Sequence, residues 1–101
     1  MTNKATDLQD LVALSRAMLE KAREKSWDDV FELEQRRREL MQLFFSEPVA
    51  VEDAQSVSTG IQEVMAIDRE LMVLASQAKA ELGDALHKLG QGKKAVKAYT
   101  G

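Results

Sequence analysis

One apolar stripe constrains this chain more than any other feature. From Val57 onward, apolar residues fall at Val57, Ile61, Val64, Met65, Leu71, Met72, Ala75, Ala78, Leu82, Leu86 and Leu89. Most steps are three or four residues, a nearly unbroken stripe at a period of about 3.5 to 3.6, which places them on one face of a single long helix. Ile67, Leu74 and Ala85 widen the face on one side, and Ala50 and Ala54 extend it backwards. The spacing predicts a helix that is firm over 61–89 and can begin as early as 50. Gly60 and Gly83 each weaken it by about 1 kcal/mol relative to Ala, and either can mark a bend. Gly90 and Gly92 are the expected stop, leaving a tail, GQGKKAVKAYTG, over 90–101.

Two shorter helices precede it. Residues 1–6 are polar and expected to fray. Thr6 reads as an N-cap, with Gln9 where a capping-box partner belongs and Asp7 in a first turn that favours negative charge. Leu8, Leu11, Val12, Ser15, Met18, Leu19 and Ala22 then share one face, predicting a helix over about 7–24. Ser26 is the next cap candidate, ahead of Trp27, Asp28 and Asp29. Val30, Leu33, Leu40, Met41 and Phe44 form the following stripe, flanked by Trp27, Phe31 and Phe45, for a helix over about 27–45. Glu34 and Arg37 fall inside that stripe; three apart, they can pair with each other and reach solvent along their stems. Pro48 forbids continuation. The very short link between the first two helices predicts an antiparallel hairpin.

The expected fold is therefore all-α: one domain over 1–101, an antiparallel bundle of three helices with a long third helix and a short C-terminal tail or helix. Composition agrees. Apolar residues make up 45% and charged residues 31%, with one Pro in the chain, a balance rich in helix formers.

The helix lengths do not match. At ~1.5 Å per residue the first two helices are each roughly 27 Å long, and the third is at least about 43 Å. Packed against the second helix, the third should reach the far end of the hairpin near residue 69 or 70. The turns that follow, through residue 89, should project. They carry Leu71, Met72, Leu74, Ala75, Ala78, Leu82, Leu86 and Leu89. Burying one Leu is worth roughly 1.5–3 kcal/mol, so such a stripe calls for cover. A second copy, the chain's own tail, or an amphipathic helix from another protein could supply it.

Several function classes are disfavoured. Net charge is −3, whereas phosphate binding needs a concentrated basic face. The absence of Cys removes disulfides, thiolate ligands and thiol nucleophiles. No phosphate loop, nucleophile elbow or zinc motif occurs, so the chain reads as a non-enzyme with no cofactor. The N-terminus lacks a signal-peptide run, and no stretch approaches the ~18 apolar residues of a membrane span. The expected location is the cytoplasm, without membrane insertion or nucleic acid.

A few residues stand out. Arg36, Arg37 and Arg38 look like a nucleic-acid patch, but Glu32, Glu34 and Glu39 lie at pairing distance along the helix. Asp68 interrupts the long stripe. It is either a register-fixing buried group, a contact for a partner's cation, or a wet or salt-bridged edge residue, and the last is favoured because a lone buried carboxylate is costly. His87 lacks the second ligand that a metal would need. Met41, Met65 and Met72 suit a core, and as a set they suit an adaptable groove. Tyr99, on a short basic segment flanked by Gly, is either a fold-back anchor or a docking residue.

The segment SWDDVFELEQRRRELMQLFF resembles the second helix of the FliT family of flagellar export chaperones. That helix opens with Trp-Asp and carries a Leu-Glu-x-x-Arg-Arg element before a run ending in Leu-Phe. IQEVMAIDREL resembles the start of the family's long helix, and KKAVKAYTG resembles its closing Ala-Tyr element. LVALSRAMLEKAREKSW also fits, so the likeness spans nearly the whole chain. It implies a helical chaperone without enzymatic activity. Such a chaperone binds the C-terminal region of the filament-cap protein FliD and keeps it soluble for export. It also engages the export ATPase complex and the gate protein FlhA, and in some bacteria it restrains the master regulator FlhDC. Some members carry a further helix after the Ala-Tyr element that shields the binding surface. Shielding of that kind, and any regulator binding that depends on it, need a helix beyond the Ala-Tyr element.

Stripe and resemblance together nominate Ile67, Leu71, Leu74, Ala78, Leu82 and Leu86 as client-binding residues, with Phe45 if it faces outward. Tyr99 is nominated for docking to the export apparatus. Two other readings compete: a homodimeric coiled-coil or helical-bundle adaptor whose overhang pairs with itself, and a small regulator that binds DNA or a transcription factor.

Overall fold

A computed structural model describes the backbone of residues 4–100 and the side chains of residues 4–90. Three helices make up the fold: α1 (Lys4–Arg23), α2 (Trp27–Phe45) and α3 (Ala54–Thr100), with a short 3-10 turn over Val51–Asp53 ahead of α3. The all-α expectation holds, and no strand occurs among the described residues.

The first helix starts earlier than Thr6. Thr6 lies inside α1, and the structure offers a reason for the extra turn in Lys4. Its ammonium donates to the carbonyls of Phe44 and Glu47 and sits 4.4 Å from the centre of the Phe44 ring. One side chain thus satisfies orphan carbonyls at the end of α2 and ties the start of α1 to it.

The α1–α2 link is a tight reversal. Lys25 takes the left-handed conformation at φ 63°. Its N–H donates to Ala22 O at 3.0 Å, and the N–H of Ser26 reaches back to Lys21 O at 2.9 Å. These two bonds define a Schellman motif built on a lysine where glycine is usual. Ser26 does occupy the N-cap position of α2. Its hydroxyl, however, donates to the Asp29 carboxylate at 2.6 Å instead of capping the backbone.

After α2 the chain passes Pro48 and an extended Ala50 (ψ 147°) into the 3-10 turn. α3 therefore begins at 54, between the two starts the sequence allowed, and it runs straight through Gly60. An ideal Cβ on Gly60 would meet the Leu8 side chain at 2.7 Å. The glycine is there to let α1 and α3 approach, and no bend is needed to account for it.

α1 packs against both α2 and α3, whose own backbones approach each other less closely. Arg16 bonds Glu63 and Arg23 bonds Glu70, each across 47 positions. A constant offset means that α1 and α3 run parallel, with α2 antiparallel to both. The core centres on Leu8, Leu11, Phe44 and Val57, with Leu40, Met41, Val49 and Ile61 packed on it. Val12, Met18, Leu19, Ala22, Val64 and Ile67 are also buried.

α3 does not stop at Gly90 and Gly92. It is 47 residues long, about 70 Å at the standard rise, and sets the longest dimension of a molecule measuring 72 × 22 × 20 Å. A glycine ends a helix by turning left-handed, and no glycine has positive φ among the described residues. Without that turn the two glycines only weaken the helix. The expected tail over 90–101 is thus helical as far as Thr100.

Candidate docking groove

Because α1 holds α2 and α3 together from one side, the seam between α2 and α3 stays open on the other. The hollow there measures about 340 Å³. Met18 of α1 forms its floor, Trp27, Val30 and Arg37 its α2 wall, and Asp68, Leu71, Met72 and Ala75 its α3 wall. Apart from Arg37 and Asp68 the lining is apolar. Met72 is mostly exposed, as are Phe31 on α2 and Met65 on α3. Flexible, polarisable thioethers in an open groove suit a surface that adapts to its occupant.

A polar clasp crosses the groove. Ser15, buried on α1, donates to Leu11 O at 2.9 Å and accepts from Arg37 Nη1 at 3.0 Å. The same nitrogen donates to Asp68 Oδ1 at 2.7 Å. All three helices meet in this one network. The Arg37 side chain is 13% exposed and that of Asp68 38%, so the pair sits at the boundary between core and groove. Glu34 and Arg37 do not pair with each other. Glu34 accepts from Arg38 at 2.6 Å, one turn along, and Arg36 stands 3.9 Å from Glu32. Arg37 points inward because its stripe position faces the core, where Ser15 and Asp68 are its available acceptors.

Beyond the groove, α3 projects. Leu82, Leu86 and Leu89 are 61%, 59% and 63% exposed, and every described residue from Lys79 to Gly90 is exposed. The overhang begins later than its length predicted. Arg23, the last residue of α1, pairs with Glu70, as the expected end near 69–70 requires. The reversal then covers two further turns. Lys25 reaches Glu81 at 3.4 Å, and Trp27, Ala22 and Arg23 enclose a small cavity with Leu74, Gln77 and Ala78.

The nominated client-binding residues therefore separate. Ile67 is buried in the free chain, on the side of α3 that also carries Gly60. Leu74 and Ala78 are half-covered near the reversal, and Leu71 lines the groove. Leu82 and Leu86 are open on the projecting turns. Phe45 does face outward, at the end of α2, with its ring edge-to-face on Phe44 at 4.9 Å. The Tyr99 side chain lies outside the described residues. Met18, Trp27 and Val30 complete the groove and were not nominated. The signal that could have found them is the Trp at the very start of α2, where it must lie over whatever passes the hairpin's end.

A larger hollow, about 550 Å³, lies between α1 and α3 around Gly60. Its rim is made of Gln9, Gln55, Ser56 and Thr59, with Arg16 and Glu63 bridged at 2.7 Å. It is distant from the projecting stripe and lacks the apolar continuity of the α2–α3 seam. No group of three or more His, Cys, Asp or Glu that could hold a metal occurs among the described residues. No described helix is long and apolar enough to cross a membrane.

An open apolar seam that leads onto a projecting apolar helix is the architecture of a helical protein-binding scaffold. Comparison with known families makes the class specific. Residues 5–101 match the family described as flagellar protein FliT, and the chain belongs to that family. FliT is a family of flagellar export chaperones. No curated protein matches the chain, and no solved structure does.

Proposed function

We propose that this chain binds the C-terminal region of the filament-cap protein FliD in the bacterial cytoplasm and keeps it export-competent. FliD would lie as an amphipathic helix in the α2–α3 groove and continue along Leu82 and Leu86. Docking to the export ATPase complex and to the gate protein FlhA is part of the same proposal, with Tyr99 as the candidate contact. A restraining contact with FlhDC belongs to the same reading. The observation that carries the proposal is continuity. The groove wall of Leu71, Met72 and Ala75 runs directly into exposed Leu82, Leu86 and Leu89 on one helix. A client helix laid there would bury apolar surface along its length without unfolding the chaperone.

Leu82→Asp tests it. Calorimetric titration with a synthetic FliD C-terminal peptide should show an affinity loss of roughly tenfold or more, since one Leu burial is worth about 1.5–3 kcal/mol. Helicity should be unchanged. Equal affinity in the variant and the parent would remove the overhang from the interface. Self-pairing of the overhang into a homodimer is the second reading, favoured by the same exposed leucines. Sedimentation of the isolated chain, read together with the peptide titration, separates the two: an obligate dimer with no affinity for the peptide favours self-pairing, and peptide binding favours the client reading.

A further inference from the structure

The groove has one carboxylate in it, and only half of that carboxylate is used. Asp68 Oδ1 accepts from Arg37 at 2.7 Å, whereas Oδ2 carries no hydrogen bond among the described residues. The side chain is more than a third exposed and lines the hollow beside Leu71 and Met72. Arg37 cannot turn away to serve another group. Its Nη1 is shared between Asp68 and the buried Ser15 hydroxyl, which is itself anchored to Leu11 O. The acid is therefore tied through Oδ1 to an anchored arginine, and it lines a partly exposed trough whose other residues, Arg37 apart, are apolar.

A tethered acceptor in such a trough discriminates. A purely apolar helix laid over it would strip water from Oδ2 and offer nothing in return. Leaving a charged acceptor unsatisfied costs more than an ordinary lost hydrogen bond. A helix that presents a Lys, Arg or hydroxyl at that level would satisfy it. We propose that Asp68 is the specificity-determining residue of the groove. It selects an amphipathic client helix whose apolar face is interrupted once by a hydrogen-bond donor, most strongly a cation, level with the Arg37–Asp68 pair. The inference rests on the client reading above, and it adds which helices the groove rejects. Arg37 acts as a positioning residue, holding the acid while its own charge keeps the pair neutral.

The test is a double-mutant cycle between the chaperone and the FliD C-terminal peptide. Each Lys, Arg, Ser and Thr of the peptide is replaced by Ala in turn and titrated against the parent chain and against Asp68→Asn. One peptide position should lose about tenfold in affinity against the parent and much less against Asp68→Asn. Because Asp68→Asn also weakens the clasp, the double substitution Arg37→Met with Asp68→Leu serves as a second chaperone. It replaces the ion pair by apolar side chains of similar size, a change that buried pairs tolerate. This chain should keep its urea midpoint within the range of the parent and bind the donor-lacking peptide as tightly as the native one. The inference is overturned if no peptide position couples to Asp68, or if the apolar double variant still discriminates against the donor-lacking peptide. Failure of the parent to bind any FliD peptide overturns the client reading and this inference together. Binding without coupling overturns this one alone.

Discussion

The two halves of α3 carry the same apolar period and meet different fates. Over 54–78 the stripe is buried or half-buried at Val57, Val64, Ile67, Leu71 and Leu74, because α1, α2 and the reversal lie opposite. Over 79–90 it is exposed throughout. Periodicity therefore encodes a face, while neighbouring helices decide whether that face becomes core or interface. The largest expected difference between the halves is energetic. Phe44, fully buried against the first half, should cost about 3–5 kcal/mol of stability as Phe44→Ala. Leu86→Ala on the projecting half should stay within about 0.5 kcal/mol in the free chain. Urea unfolding of both variants checks this. A large loss in Leu86→Ala would mean that the overhang is already covered in solution and would break the comparison.

The glycines sharpen the contrast because the same substitution should have opposite signs. Gly60→Ala would drive a Cβ to 2.7 Å from the Leu8 side chain, overpacking the α1–α3 seam at a cost of about 1–3 kcal/mol. Gly83→Ala meets nothing within 4 Å and should stabilise the helix by up to about 1 kcal/mol. Thermal or urea midpoints report both. If the overhang is frayed in solution, the Gly83 gain will appear in helicity by circular dichroism more than in the unfolding midpoint.

The helices themselves were legible because helical periodicity is local. The limits of α2 and the projection of α3 follow from spacing, Pro48 and length alone. What was not legible depends on contacts across the fold. Thr6 looks like a cap in isolation, but Lys4 gains two carbonyls and an aromatic face from the end of α2, and the helix begins before it. Gly90 and Gly92 look like stops, yet neither takes the left-handed turn by which a glycine commonly ends a helix. Gly60 reads as a weakness until Leu8 is seen above it. Arg37 and Glu34 sit at pairing distance along one helix, but Ser15 and Asp68 come from other helices and outcompete Glu34. Ile67 shows the same limit along the stripe. Its position on the stripe was clear, but its choice of edge depended on α1, which no count along α3 can reveal.

The smallest expected effect falls where the two halves of α3 meet. Lys25 holds a left-handed conformation that costs a side chain roughly 1–2 kcal/mol, and its ammonium bridges Glu81 on the first exposed turns at 3.4 Å. Lys25→Gly relieves the backbone, loses an exposed bridge worth about 0–1 kcal/mol, and adds glycine's extra entropy in the unfolded chain. The net should be a gain of a few tenths of a kcal/mol, reaching at most about 1. Glu81→Gln removes the bridge without touching the reversal and should change stability by less than about 0.5 kcal/mol. The pair of urea midpoints separates strain from charge. A loss in Lys25→Gly equal to that in Glu81→Gln would mean that the bridge fastens the overhang to the bundle. The boundary between covered and open stripe would then be set by electrostatics and not by where the hairpin ends.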